Sequence, residues 1–399
     1  MTMDSKWFRG LLFGSIYFIQ GAILTYFSGF NALYLRSFNL SFSQIGIASG
    51  IALIPFVLKV IIGMLSDRVS PFGLGHRRPY MVAGILLQSM GAFVLPLINP
   101  LTSFGAYIAV LSLVSLGMST YDTASDGLAI DTTPEDERGF VQGVMVGARA
   151  LAAIVLATAM GFLVSRYSWA AAFVFVGVVT LLPLVLVLRA TEGQRSRAGA
   201  FSLAGLRAFL ALRMGMFLLL GLVYPLVLYS ANGVIGAFLN ERVGITMLQV
   251  GMYTSLFGVG AVVGGLTGGA VTDRLGLGRS ILLALIITSL SLLALAASAS
   301  PAVAAVAVLM FGVAFGYYET AYQAAGMGFV DPRVAATMFA VIMAVGNIGI
   351  GLGQPLAGAL VDSFGFQVLF LVLSVLNLAT LPLVALIFRR GQNGEGLLG

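Results

Sequence analysis

Charged residues in this chain are confined to short segments that separate apolar stretches of roughly 20 residues or more, the length a helix needs to cross a hydrocarbon core about 30 Å thick. Only 9% of the residues are charged, against about 25% in a soluble domain. The predicted fold class is an all-α polytopic membrane protein. Its spans are expected at 10–36, 43–65, 79–98, 104–131, 139–165, 169–189, 213–240, 247–272, 280–299, 302–328, 336–363 and 364–388.

Several function classes drop out. The chain has no cysteine, which removes disulfides, thiol catalysis and thiolate-held metals. Its one histidine, His76, lies in a basic turn, so no histidine metal cluster is available and a Ser-His-Asp set would depend on that exposed turn. Lys6 and Lys59 are the only lysines, and neither follows a Gly-x-x-x-x-Gly loop that would serve an ATP motor. Neither an enzyme nor a cofactor is expected. The apolar run that follows Lys6 and Arg9 to about Leu35 exceeds a signal-peptide core and reads as a permanent span. The net charge of +6 follows the loops, so nucleic acid is not an expected partner.

With the N-terminus placed in the cytoplasm, the loops after the even-numbered spans hold nearly all the arginines. Only Arg36, Arg166 and Arg242 fall on the other side. Basic residues favour the cytoplasmic side, so both termini are expected there, in a cell (inner) membrane.

The pattern Gly-x-x-x-Asp-Arg occurs at Gly63–Arg68 and again at Gly269–Arg274. Basic residues trail each copy: Arg77 and Arg78 after the first, Arg279 after the second. Gln44-Ile45-Gly46 matches Gln249-Val250-Gly251, and Asp131 and Pro134 correspond to Asp331 and Pro332. Gly161-Phe162-Leu163-Val164 resembles Gly358-Ala359-Leu360-Val361. Matches in order at offsets of about 200 residues predict two parallel six-helix halves. The expected domains are 1–189 and 213–399, with a polar, arginine-rich linker at 190–212.

Together these features resemble the major facilitator superfamily (MFS) over essentially the whole chain. Gly63-Met-Leu-Ser-Asp67-Arg68, followed by Gly75-His-Arg77-Arg78-Pro79, looks like that family's motif between spans 2 and 3. Gly269–Arg279 looks like its degenerate second copy, and Asp131 with Arg138 resembles an acidic-x6-Arg pair of sugar-type members. The resemblance implies two bundles rocking about a midplane cavity. It also implies a cytoplasmic gate formed by Gly63, Asp67, Arg68, Arg77, Arg78, Asp131, Arg138, Gly269, Asp273 and Arg274. Within the family, Leu58-Lys59…Asp67-Arg68…Arg77-Arg78-Pro79-Tyr80 is similar to the glycoside–cation symporter, muropeptide permease and bacteriochlorophyll-delivery groups. The run Gly84-Ile-Leu-Leu-Gln88…Pro96 leans toward the last of these.

A charge inside an apolar span costs about 2.5 kcal/mol or more, so each one calls for a partner or a function. Lys59, Asp122, Asp126, Arg149 and Glu319 qualify. Asp122 and Asp126, four apart, project from one helix face, which Ser112, Ser115 and Ser119 continue; this stripe is expected to border water. In the family resembled, spans 1, 4, 7 and 10 line the cavity. That would bring in Tyr17, Gln20 and Asn31, then Tyr224, Tyr229 and Asn232, then Tyr317, Tyr322 and Gln323. Two carboxylates this close resist simultaneous ionisation, so one is expected to load and release a proton. The structural alternative is that Asp122 or Asp126 pairs with Arg149. Glu319 has no obvious partner on its own helix. Lys59 either reaches for the interface or locks onto an acid. Glycines at four-residue intervals (Gly139, Gly143, Gly147; Gly260, Gly264, Gly268; Gly349, Gly353) are expected at close helix contacts.

The expected function is secondary active transport of a small organic solute across the membrane, a symport with protons (or sodium) by a monomer in the lipid bilayer. The competing expectation is a non-transporting membrane assembly or pigment-delivery factor on the same fold.

Overall fold

The computed structural model describes residues 3, 5–71, 75–134, 137–192, 212–329 and 335–388. Most of the expected linker, together with Asp331 and Pro332 of the expected repeat, lies outside the described residues. Among those described, eleven stretches are long and apolar enough to cross a membrane. They are α1 (Lys6–Arg36), α2 (Phe42–Ser66), α3 (Arg78–Leu97), α4 (Phe104–Thr132), α5 (Phe140–Arg166), α6 (Trp169–Arg189), α7 (Leu212–Arg242), α8 (Met247–Leu275), α9 (Leu277–Ala296), α10 (Pro301–Gly328) and Val341–Ile387. The last, at 47 residues, would be about 70 Å long as one helix, more than twice the hydrocarbon thickness. Gly365 divides it with φ 81 and ψ 171, a conformation essentially reserved for glycine. The stretch is therefore two helices, α11 (335–364) and α12 (366–387), and twelve crossings result, as the hydropathy pattern predicts.

By its contacts the chain divides into two units. Unit 1 comprises Met1–Leu40, Ile51–Ala198 and Thr246–Ser255; unit 2 comprises Ser41–Gly50, Gly199–Ile245 and Leu256–Gly399. Each unit thus takes in the first turns of a helix from the other half of the sequence, and the internal repeat shows how those turns are fixed. At the start of α2 the Ser41 N–H donates to Gln44 Oε1 (2.9 Å) and the Gln44 N–H to Ser41 Oγ (3.2 Å). At the start of α8 the Thr246 N–H donates to Gln249 Oε1 (2.9 Å) and the Gln249 N–H to Thr246 Oγ1 (3.3 Å). Both are reciprocal capping boxes, which satisfy two donors that a helix start leaves open.

The repeated glycines have equivalent roles. In unit 1 a Cβ at Gly161 on α5 would lie 2.7 Å from the Met247 carbonyl, and one at Gly251 would lie 2.5 Å from the Ala157 carbonyl. In unit 2 the start of α2 meets α11 in the same manner. A Cβ at Gly46 would crowd Pro355 Cα at 2.8 Å, and one at Gly358 would crowd Ser43 Cα at 3.0 Å. Asp362 closes that contact by accepting the Phe42 and Ser43 N–H groups at 2.9 and 2.7 Å.

Elsewhere glycine sets how closely helices approach. A Cβ on Gly84 would lie 2.5 Å from the Gly117 carbonyl, and one on Gly117 would lie 2.6 Å from the Gly84 carbonyl, so α3 and α4 touch along their backbones. Gln88, one turn on, donates to Thr180 Oγ1 of α6 at 3.0 Å and accepts from the Tyr121 hydroxyl of α4 at 3.2 Å. The α3 residues that lean toward pigment-delivery proteins therefore serve helix packing here. Gly260, Gly264 and Gly268 of α8 meet α10 as their spacing predicts. The α5 glycines do not follow that rule. The side-chain surroundings of Gly139 are not among those described, and a Cβ at Gly143 or Gly147 would meet nothing within 4 Å. Their face is open, because α1 is reached through the adjoining face of α5, about 100° round the helix: a Cβ at Gly14 would contact Val144 and Ala148, and one at Gly21 would contact Ala152.

Candidate functional site

In unit 1 two neighbouring groups of contacts, one turn apart on α4, hold four of the five charges embedded in the spans. Within α2 the helix breaks at Leu58, whose φ is −77 and ψ −2, and a fresh helical piece, Lys59–Arg68, begins at Lys59. The Lys59 ammonium pairs with Asp122 Oδ2 on α4. Gln20 Nε2 of α1 donates to the other oxygen of Asp122 at 2.7 Å. Asp122 is 1% exposed, so its charge is held wholly by the protein. Asp126, one turn along, accepts the Tyr17 hydroxyl at 2.7 Å. Arg149 sits over the Tyr17 ring, its guanidinium carbon 5.8 Å from the centroid. The alternative expectation of an Arg149–aspartate pair is not met: among the described residues the cation on Asp122 is Lys59, and Tyr17 stands between Arg149 and Asp126.

The serine stripe differs from expectation. Ser115 and Ser119 are fully buried, so this face is enclosed rather than open to bulk water. Among the described residues, the hydroxyls of Ser112, Ser115 and Ser119 and the Gln20 carbonyl oxygen have no hydrogen-bond partner. Such a row of orphaned groups suits ordered water. Asn31 belongs to a separate buried cluster, accepting from the Tyr107 hydroxyl at 3.2 Å while Tyr107 and Tyr26 share a bond of 2.7 Å.

Unit 2 gathers a second group. Gln323 Nε2 donates to Glu319 Oε2 at 3.2 Å, so Glu319 does have a partner on its own helix, one turn on. Tyr224 of α7 lies between Tyr322 and Tyr318 of α10, ring centroids 4.4 and 4.9 Å away. Phe217 stacks on Tyr322 at 4.7 Å and 5°. Tyr224, Tyr229, Glu319 and Tyr322 border a cavity of about 50 Å³ with Pro225, Ile342, Met343, Gly346, Asn347 and Ile350. Asn232 does not border it, and Tyr317 turns to α9, its hydroxyl 2.9 Å from Ser280 Oγ.

At the far ends of α2 and α4, Arg77 is buried. Its Nη1 donates to Ser66 Oγ at 2.8 Å and its Nε reaches Asp131 Oδ2 at 3.4 Å. Arg78 Nη2 donates to the Leu188 carbonyl at 2.7 Å. A Cβ at Gly63 would touch Thr123 of α4 at 3.4 Å, and one at Gly269 would touch Thr320 of α10 at 3.8 Å, the same relation in each unit. Arg68, Asp273 and Arg274 are exposed. The side chains of Asp67 and Arg138 lie outside the described residues.

Two acids that sequence reasoning passed over complete this region. The Glu192 carboxylate accepts the backbone N–H groups of His76, Arg77 and Arg78 at 2.6, 2.8 and 2.7 Å, at the N-terminus of α3. Three donors and the positive end of the helix dipole favour an anion there. Glu137 pairs with the buried Arg9 of α1. The available signal was scarcity, since only 15 residues are acidic.

Comparison with known proteins gives a consistent picture. The family model described as Major Facilitator Superfamily matches residues 13–230 and 217–396. The anhydromuropeptide permease of Escherichia coli strain K12 is 24% identical over 366 residues, spanning 89% of this chain and 74% of that protein. A bacterial homolog of the human lysosomal transporter Spinster, solved in an inward-facing and occupied conformation, superposes with a TM-score of 0.76 at 17% identity over 96% of both chains. The nucleoside transporter NupG superposes with a TM-score of 0.77 at 12% identity, over 98% of this chain and all of that one (100%).

Proposed function

Since the chain belongs to the Major Facilitator Superfamily, and so is a membrane transporter of small solutes, we propose that it moves an organic solute by alternating access coupled to a proton carried on Asp126. The carrying observation is the difference between the two α4 acids. The charge of Asp122 is balanced by the Lys59 ammonium, whereas Asp126 bonds a neutral hydroxyl. A carboxylate that is buried with a neutral hydroxyl as its donor takes up a proton while enclosed and releases it when a route opens to water. The orphaned hydroxyls of Ser112, Ser115 and Ser119 support such a route, because a buried polar row holds water. Arg77, tying Ser66 to Asp131, supports a gate at that end of unit 1 that opens when the ties break. The substrate class named for the Escherichia coli relative, a muropeptide, is a first candidate for this chain.

The test is solute-driven proton movement in proteoliposomes that enclose a pH-sensitive dye. Adding anhydromuropeptides, glycosides or amines in turn should acidify the lumen with the natural protein and leave it unchanged with Asp126→Asn. Equal acidification by the variant would contradict the proposal, and a response that follows sodium instead would assign the coupling to that ion.

A further inference from the structure

We propose that Arg149 is the clamp for a carboxylate carried by the solute, and that the proton on Asp126 enters together with that anion. The inference deepens the transport reading by giving the chemistry of the load. It rests on that reading for the proton alone, not for binding at Arg149.

Position is the first argument. Arg149 stands about 14 Å along the 27-residue span Phe140–Arg166, a few ångströms short of its middle, and it is exposed. A cation at that depth is costly in hydrocarbon and belongs beside water or an anion. The backbone there is held in place by α1, since a Cβ at Gly21 would lie 2.7 Å from the Arg149 carbonyl oxygen. The side chain therefore starts from a rigid element.

The second is that the neighbouring acids are bonded to other groups. Asp122 is held by Lys59 and Gln20, and Asp126 by the Tyr17 hydroxyl. Among the described residues Arg149 has no hydrogen-bond or ion-pair partner, and its guanidinium lies over the Tyr17 ring. A guanidinium resting on a ring keeps the N–H donors along its edge for a planar acceptor that can take two of them, as a carboxylate does. Tyr17 is itself fixed by its bond to Asp126. The clamp is thus assembled before the ligand arrives, and little ordering entropy is lost on binding.

Charge is the third. The titratable and charged groups about Asp126 are Tyr17 of α1, Lys59 of α2, Asp122 of α4 and Arg149 of α5. Lys59 and Asp122 cancel each other, which leaves Asp126 and Arg149. With Asp126 ionised the set is neutral. With Asp126 protonated one positive charge is uncompensated, and a carboxylate restores neutrality. The same count selects a monoanion. A phosphate ester, with a charge near −2, would leave one negative charge unmatched, because Lys59 is already paired.

The experiment uses the full chain in detergent and titrates it calorimetrically with N-acetylmuramate, the acidic sugar of the muropeptide class, and with its methyl ester, the same sugar without the charge. The acid should bind and the ester should not. Arg149→Gln should weaken binding of the acid about a hundredfold, and Arg149→Lys, which keeps the charge but not the fork, about tenfold. Thermal unfolding without ligand should be the same for Arg149→Gln as for the natural chain, which shows that the variant folds. Between about pH 5 and pH 9 the acid and Arg149 both stay charged. Over that range binding should weaken as pH rises in the natural chain and keep its acidic strength in Asp126→Asn. Equal binding of acid and ester, no binding of the acid, or binding that survives Arg149→Gln would each overturn the clamp. A large fall in the melting temperature of Arg149→Gln would do so too, by giving Arg149 a structural role. Binding by the natural chain that ignores pH would overturn the joint entry of proton and anion. Binding through Arg149 together with proton movement indifferent to Asp126→Asn would leave the clamp standing and remove the coupling proposal; the converse result would do the reverse.

Discussion

Asp122 and Asp126 stand one helical turn apart on α4, yet Asp122 pairs with the Lys59 ammonium while Asp126 accepts a hydrogen bond from the neutral Tyr17 hydroxyl. Two acids of identical chemistry thereby have different partners, a cation and a neutral hydroxyl, and the proposed coupling assigns the exchangeable proton to the second. The Lys59 side of that difference comes from α2, where a break at Leu58 starts a new helical piece at Lys59.

Removing only the cation should be far worse than removing the pair. Lys59→Met leaves the buried Asp122 carboxylate without its counter-charge, a loss of about 3–5 kcal/mol. The double variant Lys59→Met, Asp122→Asn should recover most of that stability. Thermal unfolding of purified protein checks both, and equal melting of the two variants would show that the pair is not what holds this region.

Glycine substitutions should divide by contact rather than by spacing. Gly117→Ala places a Cβ 2.6 Å from the Gly84 carbonyl, and forcing α3 from α4 should cost about 1–3 kcal/mol. Gly147→Ala meets open space and should stabilise α5 by about 0.5–1 kcal/mol through helix propensity. Both are read as shifts in melting temperature.

Glu192 should protect the start of α3. Glu192→Gln keeps the shape but loses the charge that three backbone donors share, at a cost of about 1 kcal/mol. Amide hydrogen exchange at His76, Arg77 and Arg78 should accelerate several-fold, with exchange at the far end of α3 unchanged.

Hydropathy alone located the twelve crossings, because length and apolarity are properties of one segment at a time. The turn at Gly365 joins two of them so tightly that only its positive φ separates them. The duplicated Gln-x-Gly at the starts of α2 and α8 was legible as a repeat, but its meaning, a capping box followed by a close-packing glycine, depends on the Ser41 and Thr246 hydroxyls and on helices far away in the chain. Spacing picked out Asp122 and Asp126 as one face. It did not say which would meet Lys59, since that turns on the break in α2. The same limit explains Gly143 and Gly147: small residues permit a close approach, and only the neighbouring helix decides whether one occurs. Glu192 was missed because an acid's role as a helix cap is visible only once the helix end beside it is placed.

The most direct test of the account is the infrared difference spectrum of the purified protein between acidic and alkaline buffer, comparing the natural chain with Asp126→Asn and Asp122→Asn. The account predicts a protonated-carboxyl C=O band that appears on acidification, vanishes in Asp126→Asn and persists in Asp122→Asn. A band that survives Asp126→Asn and is lost in Asp122→Asn would place the exchangeable proton on the wrong acid and contradict the mechanism.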